Sequence, residues 1–333
     1  MGSKQNPRRN ESVRRTRSGE YLAESVAQRL SGPRDATELA HLFRDETACR
    51  EYLAAVRWPR GFVCPHCGDR SPAQRSERGL WLCPTCDTVS SPATGTLLDR
   101  SPLPLCGWFR AVWEVFATDH GANPDSLAKV LGVRRPALVW AWLEQLRTIM
   151  VAASAEPLVG LVEVAKVPIE LELPGAGNRR TLGHRIVAVA VEARGSELGR
   201  VRIRRLERVD GPAMTRFVTE TVGQGSTLRT GTWSGYGRLR SSGYGHLVAC
   251  GADELYEARM QCMQLMTAML RIWLRTAPAL SFERSDYYLD ELVFRLNERG
   301  MCLAAERGAL FRRIVEVAVT PLTAMPAVAR AAV

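Results

Sequence analysis

Two cysteine pairs offer the clearest chemistry in this sequence: Cys64-Pro65-His66-Cys67 and, fifteen residues later, Cys83-Pro84-Thr85-Cys86. Each CxxC turns two sulfurs toward one point, and two such turns supply the four soft ligands that zinc accepts in a tetrahedron. A thioredoxin-like redox centre also uses CxxC, but it needs one pair at a strand-to-helix junction. Because protein fills all four positions, Cys64, Cys67, Cys83 and Cys86 are expected to hold one structural Zn²⁺. His66, inside the first pair, is expected to point outward.

The second chemical resource is guanidinium. The chain carries 45 Lys and Arg against 35 Asp and Glu, a formal charge of +10, and only Lys4, Lys129 and Lys166 are lysines. Such a balance favours a polyanionic partner, and the guanidinium fork fits phosphate and guanine. Arg8, Arg9, Arg14 and Arg15 stand in residues 1–34, a stretch with few apolar anchors that reads as a disordered basic arm able to track phosphates. Arg134 and Arg135 open a second helix after a tight turn, where a recognition helix presents its first residues to bases and phosphates. Arg202 and Arg204 share one face of a strand, as a DNA-facing ridge would, or as charges protecting a sheet edge would.

With 46% hydrophobic residues over 333 positions, the chain can bury two or three domain cores. It shows neither 18 consecutive apolar residues nor an apolar segment behind the N-terminal charges, so no membrane span or secretory signal is expected. Five scattered cysteines (Cys49, Cys106, Cys250, Cys262, Cys302) point to a reducing compartment, the cytoplasm.

These groups need elements to position them. Apolar spacing predicts a helix over 35–57, with Asp35 and Glu38 resembling a capping box, and another over 103–118. Pro124–Leu131, a turn at Gly132-Val133 and Pro136–Met150 read as a helix-turn-helix, with Leu127, Val130, Leu131, Leu138, Leu143 and Leu146 as its shared apolar seam. A plain helical hairpin would look the same. Trp140 and Trp142 are expected in a core or an interface. After a boundary near 152–157, strands are expected at 158–165, 184–191, 200–206, 226–230 and 246–249, with helices at 212–222, 255–275 and 286–298. The fold class is therefore α/β multidomain: helix plus zinc ribbon (35–101), helical region (102–152), mixed α/β domain (158–299), and a partly helical tail (300–333), with Ala304–Val319 able to form a helix.

Several motifs resemble a known family. Arg50-Glu51-Tyr52-Leu53, Trp58-Pro59, Gly61-Phe62-Val63-Cys64-Pro65-His66-Cys67-Gly68, Leu80-Trp81-Leu82-Cys83-Pro84-Thr85-Cys86, Thr94-Gly95-Thr96 and Leu103-Pro104-Leu105 through Trp108-Phe109 resemble the zinc-ribbon half of DDE-type insertion-sequence transposases of the ISXO2-like group. Gly160-Leu161-Val162-Glu163-Val164, Val189-Ala190-Val191-Glu192, Gly225-Ser226-Thr227-Leu228-Arg229-Thr230, Trp233-Ser234-Gly235-Tyr236 and Tyr288-Leu289-Asp290-Glu291-Leu292-Val293-Phe294-Arg295-Leu296-Asn297 resemble the catalytic half. The resemblance covers about residues 38 to 299 and implies an RNase H-like catalytic fold. It also implies three metal-ligand positions, and here they read Ala165, Gly231 and Met269. Lys166 follows the first where an acid is usual, Arg271 stands at a lysine position, and His246 is retained.

Two-metal strand transfer needs oxygen ligands holding Mg²⁺ ions about 4 Å apart, which a methyl, a hydrogen and a thioether cannot do. Glu163 lies two residues before Ala165 on the same strand face, but the family has a Glu there too, so it adds no new ligand; Asp253 and Glu254 precede the late helix. The expectation is a transposase-derived protein, not an enzyme, that binds double-stranded DNA as a transcriptional regulator or architectural factor in the cytoplasm, at the nucleoid. The resemblance adds a homodimer; no membrane and no small-molecule substrate are expected. Two alternatives stand beside this: an active transposase with a rewired metal site, and a protein-interaction scaffold.

Overall fold

The computed structural model describes residues 32–76, 78–101, 103–174, 180–250, 260–277, 280–298 and 304–326. Arg8, Arg9, Arg14 and Arg15 of the expected arm, with Asp253 and Glu254, lie outside the described residues.

The helix expected over 35–57 is two helices, α1 (Ala36–Leu42) and α2 (Glu46–Arg57). Asp35 caps the first by accepting from Glu38 N at 2.8 Å, and Asp45 caps the second by accepting from Ala48 N at 2.8 Å. Glu38 does not close the capping box on Asp35; it takes the Arg34 backbone N and Nε instead. Three short strands, β1 (Gln74–Arg75), β2 (Trp81–Leu82) and β3 (Val89–Ser90), form an antiparallel ribbon. Trp81 and Phe62 pack edge-on against Trp58, which seats the ribbon on the end of α2.

Helices α3 (Leu105–Phe116), α4 (Pro124–Leu131) and α5 (Pro136–Ala153) complete the expected helical region. Their core is not built from residues 35–152 alone. Phe311, from a helix α9 (Ala304–Ala318), is fully buried among Phe43, Tyr52 and Phe109. Leu310, Ile314 and Val315 join the same core, and each fully buried side chain of this kind is worth about 1.5–3 kcal/mol. The stretch expected to be a partly helical tail thus closes the N-terminal core.

The second half is a five-stranded sheet in the order β6-β5-β4-β7-β8, made of β4 (Leu161–Pro174), β5 (Arg180–Arg194), β6 (Glu197–Arg205), β7 (Thr227–Thr230) and β8 (Gly245–Val248). The β4–β5 and β5–β6 pairs are antiparallel, and the β4–β7 and β7–β8 pairs are parallel. Strand alternation sorts β4 into two faces. Ala165, Val167, Ile169 and Leu171 pack with α7 (Gln261–Thr276), whereas Val162 and Val164 pack with α6 (Gly211–Thr221). The strand expected at 158–165 starts later and runs much further, with Leu158 forming only an isolated bridge to Val222.

Helix α8 (Ser285–Asn297) is shared between the two halves: Tyr287, Tyr288 and Phe294 enter the helical core, and Leu289, Leu292 and Val293 the sheet core. Polar groups fasten this joint. Glu291 accepts from Ala122 N at 3.1 Å, Arg295 donates to Val115 O at 2.7 Å, and Asn297 exchanges two hydrogen bonds with the Val201 backbone. Among the described residues no helix is long and apolar enough to cross a membrane.

Candidate metal centres and nucleic-acid interface

The two cysteine turns are built alike. Cys64 O accepts from Gly68 N at 2.9 Å and Cys64 N donates to Asp69 O at 2.8 Å; Cys83 makes the equivalent bonds with Asp87 and Thr88 at 3.0 Å. The residue after the second cysteine of each turn is left-handed, Gly68 at φ 77° and Asp87 at φ 53°. Asp87 is the one described non-glycine residue with positive φ, a conformation Asp tolerates better than most residues. Thr85 Oγ1 donates to Asp69 at 2.7 Å and ties one turn to the other.

All four sulfurs lie within 4.8 Å of one another, and the Cys64–Cys86 and Cys67–Cys83 pairs are each 3.7 Å apart. Zinc–sulfur bonds of about 2.3 Å require tetrahedral edges of about 3.8 Å, so the set fits one Zn²⁺. The Thr88 hydroxyl and backbone hold the Cys86 thiol down to about 6, which favours the thiolate a metal needs. His66 is exposed and stands outside the cluster, as expected.

A second group of positions meets at the sheet. Val164 pairs with Thr230, so the next residues, Ala165 and Gly231, follow each other on neighbouring strands. Met269 of α7 packs against the cluster that contains Ala165, Met266 and Leu270. Ala165 and Met269 therefore belong to one face of the sheet, and Gly231 follows the strand next to Ala165, so the three positions bring a methyl, a thioether and a hydrogen. Glu163, on the same face of β4, is buried and engaged elsewhere: it accepts from Met263 N at 2.7 Å, in the first turn of α7, and pairs with Arg229 at 3.4 Å. Burial raises its pKa, against the opposing pull of the Met263 N–H and the Arg229 charge. His246 lies 2.8 Å from Thr230 Oγ1, its pKa lowered by burial and then by the Arg240 charge.

Helices α4 and α5 meet through a left-handed Gly132, whose N–H, with that of Val133, closes the end of α4. Leu127, Leu143 and Leu146 form a buried seam, but Val130 and Leu138, expected in it, are 43% and 46% exposed. The seam is narrower because α3, α8 and α9 supply the rest of the surface that α5 covers. Trp142 is fully buried and Trp140 partly buried. Arg134 and Arg135 are exposed, beside exposed Leu138, at the leading end of α5.

Arg202 and Arg204 do share a face, but not as a ridge of free cations. Arg202 donates to the carbonyls of Val201 and Glu156, and burial together with the Arg200 charge lowers it to about 10. Arg204 pairs with Glu220 over the Phe217 ring. Each would have to give up an internal acceptor to meet a phosphate.

Residues 44–89 match the transposase zinc-ribbon domain, and residues 157–297 match the ISXO2-like transposase domain. The chain belongs to the zinc-ribbon, ISXO2-like transposase family. Over 74 residues it is 32% identical to an uncharacterized protein in the transposable element ISH50 of Halobacterium salinarum, a match spanning 21% of this chain and 25% of that protein. No solved structure matches the chain.

In this transposase-family chain the Tyr288–Asn297 segment was legible as a motif but not as the joint it makes. A sequence signal existed, because Glu291 and Arg295 lie one turn apart on a face that is otherwise apolar. Their 2.8 Å ion pair, with Arg295 only 6% exposed, is a buried charged part of the joint, beside the pairs Arg147–Asp290 and Arg205–Asp286 that tie α8 to α5 and to β6.

Proposed function

We propose that this transposase-family protein binds double-stranded DNA and does not cleave it, acting as a transcriptional regulator or DNA-architectural factor at the nucleoid. The observation that supports the reading is that Ala165 and Met269 lie on an apolar face of the sheet beside the strand leading into Gly231, with the nearby carboxylate of Glu163 committed to Arg229 and the start of α7. The strand order supports an RNase H-like domain, the frame in which such ligand positions converge. Strand transfer by two metal ions needs oxygen ligands at that point, and these three side chains bring none.

The binding half keeps its parts. Zinc, when bound, supplies no reaction chemistry; it crosslinks the two cysteine turns. The leading end of α5 carries Arg134 and Arg135, exposed and without an ion pair among the described residues, positioned as a helix-turn-helix presents its first residues to a major groove. Arg8, Arg9, Arg14 and Arg15 would add salt-dependent contacts to the phosphate backbone. A homodimer would repeat these contacts on two half-sites.

The test is chromatin immunoprecipitation of the tagged protein beside a Cys64→Ser/Cys67→Ser variant. Discrete peaks that disappear in the variant are expected. No enrichment above background for the unaltered protein would overturn the reading in favour of a protein scaffold.

A further inference from the structure

A groove of about 1130 Å³ runs beside the outer edge of β4, walled by Arg271 and Arg275 of α7 and by Trp140 of α5 with Arg284. It is larger than the ~300–1,000 Å³ typical of small-molecule pockets, and it is open along its length, so its shape suits a chain-like partner. Two such partners could lie there, an added β-strand or a strand of nucleic acid.

The edge itself argues against a β-strand. β7 pairs with Leu161–Val164, and among the described residues no strand pairs with the rest of β4 on that side. The even-numbered residues face outward along this stretch, since Glu172 O accepts from Phe282 N at 3.1 Å. In that outward row Pro168 has no N–H to give and the Glu172 carbonyl is already taken, the devices by which sheet edges refuse a partner.

Glu170 and Glu172 stand along the β4 side of the groove, so an anion must be held on the opposite wall. Arg271 and Arg275 are exposed one helical turn apart and enter no ion pair among the described residues. Like charges so placed repel each other, so a counter-charge from outside relieves them. The Arg284 guanidinium carbon lies over the Trp140 ring, 3.7 Å from its centroid, a contact through the ring face that still allows its N–H groups to fork onto a phosphate. Trp140 also lies five residues beyond Arg135 on the same helix, so a nucleic acid seated on the leading end of α5 continues toward the groove.

We infer that this groove holds a single strand of DNA, with its phosphates on Arg271, Arg275 and Arg284 and a base beside Trp140. The inference rests on the DNA-binding reading above and adds a second contact region, for a strand that leaves the duplex. The experiment is fluorescence anisotropy of the full, zinc-loaded chain with a blunt 30-base-pair duplex and with the same duplex carrying a ten-nucleotide single-stranded extension. The extension is expected to tighten binding about tenfold, and Arg271→Glu/Arg275→Glu to abolish that increment while blunt-duplex affinity and the melting temperature stay unchanged. Arg284→Gln should lose part of the increment. Removal of two phosphate contacts should also lower the slope of log affinity against log salt by about 1.4 for the single-stranded part. An extension that adds nothing, or an increment that survives the double reversal, overturns the groove assignment while the DNA-binding reading stands. Failure of the unaltered protein to bind blunt duplex at low salt would sink that underlying reading instead.

Discussion

At the zinc knuckles four sulfurs stand within 4.8 Å of one another, held by backbone bonds that repeat from one turn to the next. At the sheet, Ala165 and Met269 belong to an apolar side packed with Met266 and Leu270, and Gly231 follows the strand next to Ala165. The knuckles have almost no core of their own, so without the metal little holds the ribbon together. The sheet domain is held by two apolar faces and the α8 joint, none of which depends on a metal. Clustered carboxylates repel one another and resist desolvation, so a sheet that replaces them with apolar groups loses a possible ion site and keeps its fold. The contrast separates a metal that makes structure from one that would only have made chemistry.

Removing the structural metal should have the largest effect. Zinc binding is worth about 10–16 kcal/mol in zinc-finger peptides, so Cys83→Ser or a strong chelator should release one zinc per chain and unfold the ribbon, leaving the sheet domain folded. Colorimetric zinc release with circular dichroism would check this; an unchanged melt after complete zinc loss would break the contrast.

The next effect runs the other way at the sheet. Ala165→Asp places a carboxylate in an apolar cluster and should cost about 2–4 kcal/mol without metal. In Ala165→Asp/Gly231→Asp, Mn²⁺ at 100 times its Kd should return about 2.7 kcal/mol, seen as a metal-dependent rise in melting temperature absent from the unaltered chain.

Glu163 sharpens the comparison through pH. Its pKa is raised in the folded state by burial, so its protonated form is favoured by folding. That contribution is complete below the ordinary glutamate pKa and is lost as pH rises through the raised value. Glu163→Gln keeps an acceptor for Met263 N and should remove this pH dependence, flattening the stability profile across the window. Denaturant melts at several pH values would check it; an unaltered profile would refute the assignment. The smallest effect on stability belongs to Arg134→Glu/Arg135→Glu, within about 0.5 kcal/mol because both side chains are exposed, although duplex binding should fall at least tenfold.

Much of this was legible in the sequence because it is encoded locally. The cysteine spacing specified the knuckles, Pro124 and Pro136 marked the starts of α4 and α5, and α6 at Gly211–Thr221 lies within one residue of its expected span. What escaped was encoded at a distance or hidden by a local exception. Asp45 split one helix into two because its side chain caps Ala48 N more directly than the apolar spacing reveals. Lys166 and Pro168 disguised the continuation of β4, since a proline at a free edge gives up no ladder bond with β5. The burial of α9 could not be read from residues 304–318, because the partners of Phe311 lie some 200 or more residues earlier in the chain. At the sheet site the residue types were readable in the chain, and only the strand register put Ala165 next to the strand that leads into Gly231.

On the proposed reading the zinc site is kept and the sheet holds no metal. Titrating Mn²⁺ into the zinc-loaded protein, with the electron paramagnetic resonance signal of the free ion as readout, decides this. The account predicts one zinc retained per chain and a free-Mn²⁺ signal that matches buffer at every addition. Stoichiometric uptake of Mn²⁺ that disappears in Glu163→Gln would contradict it.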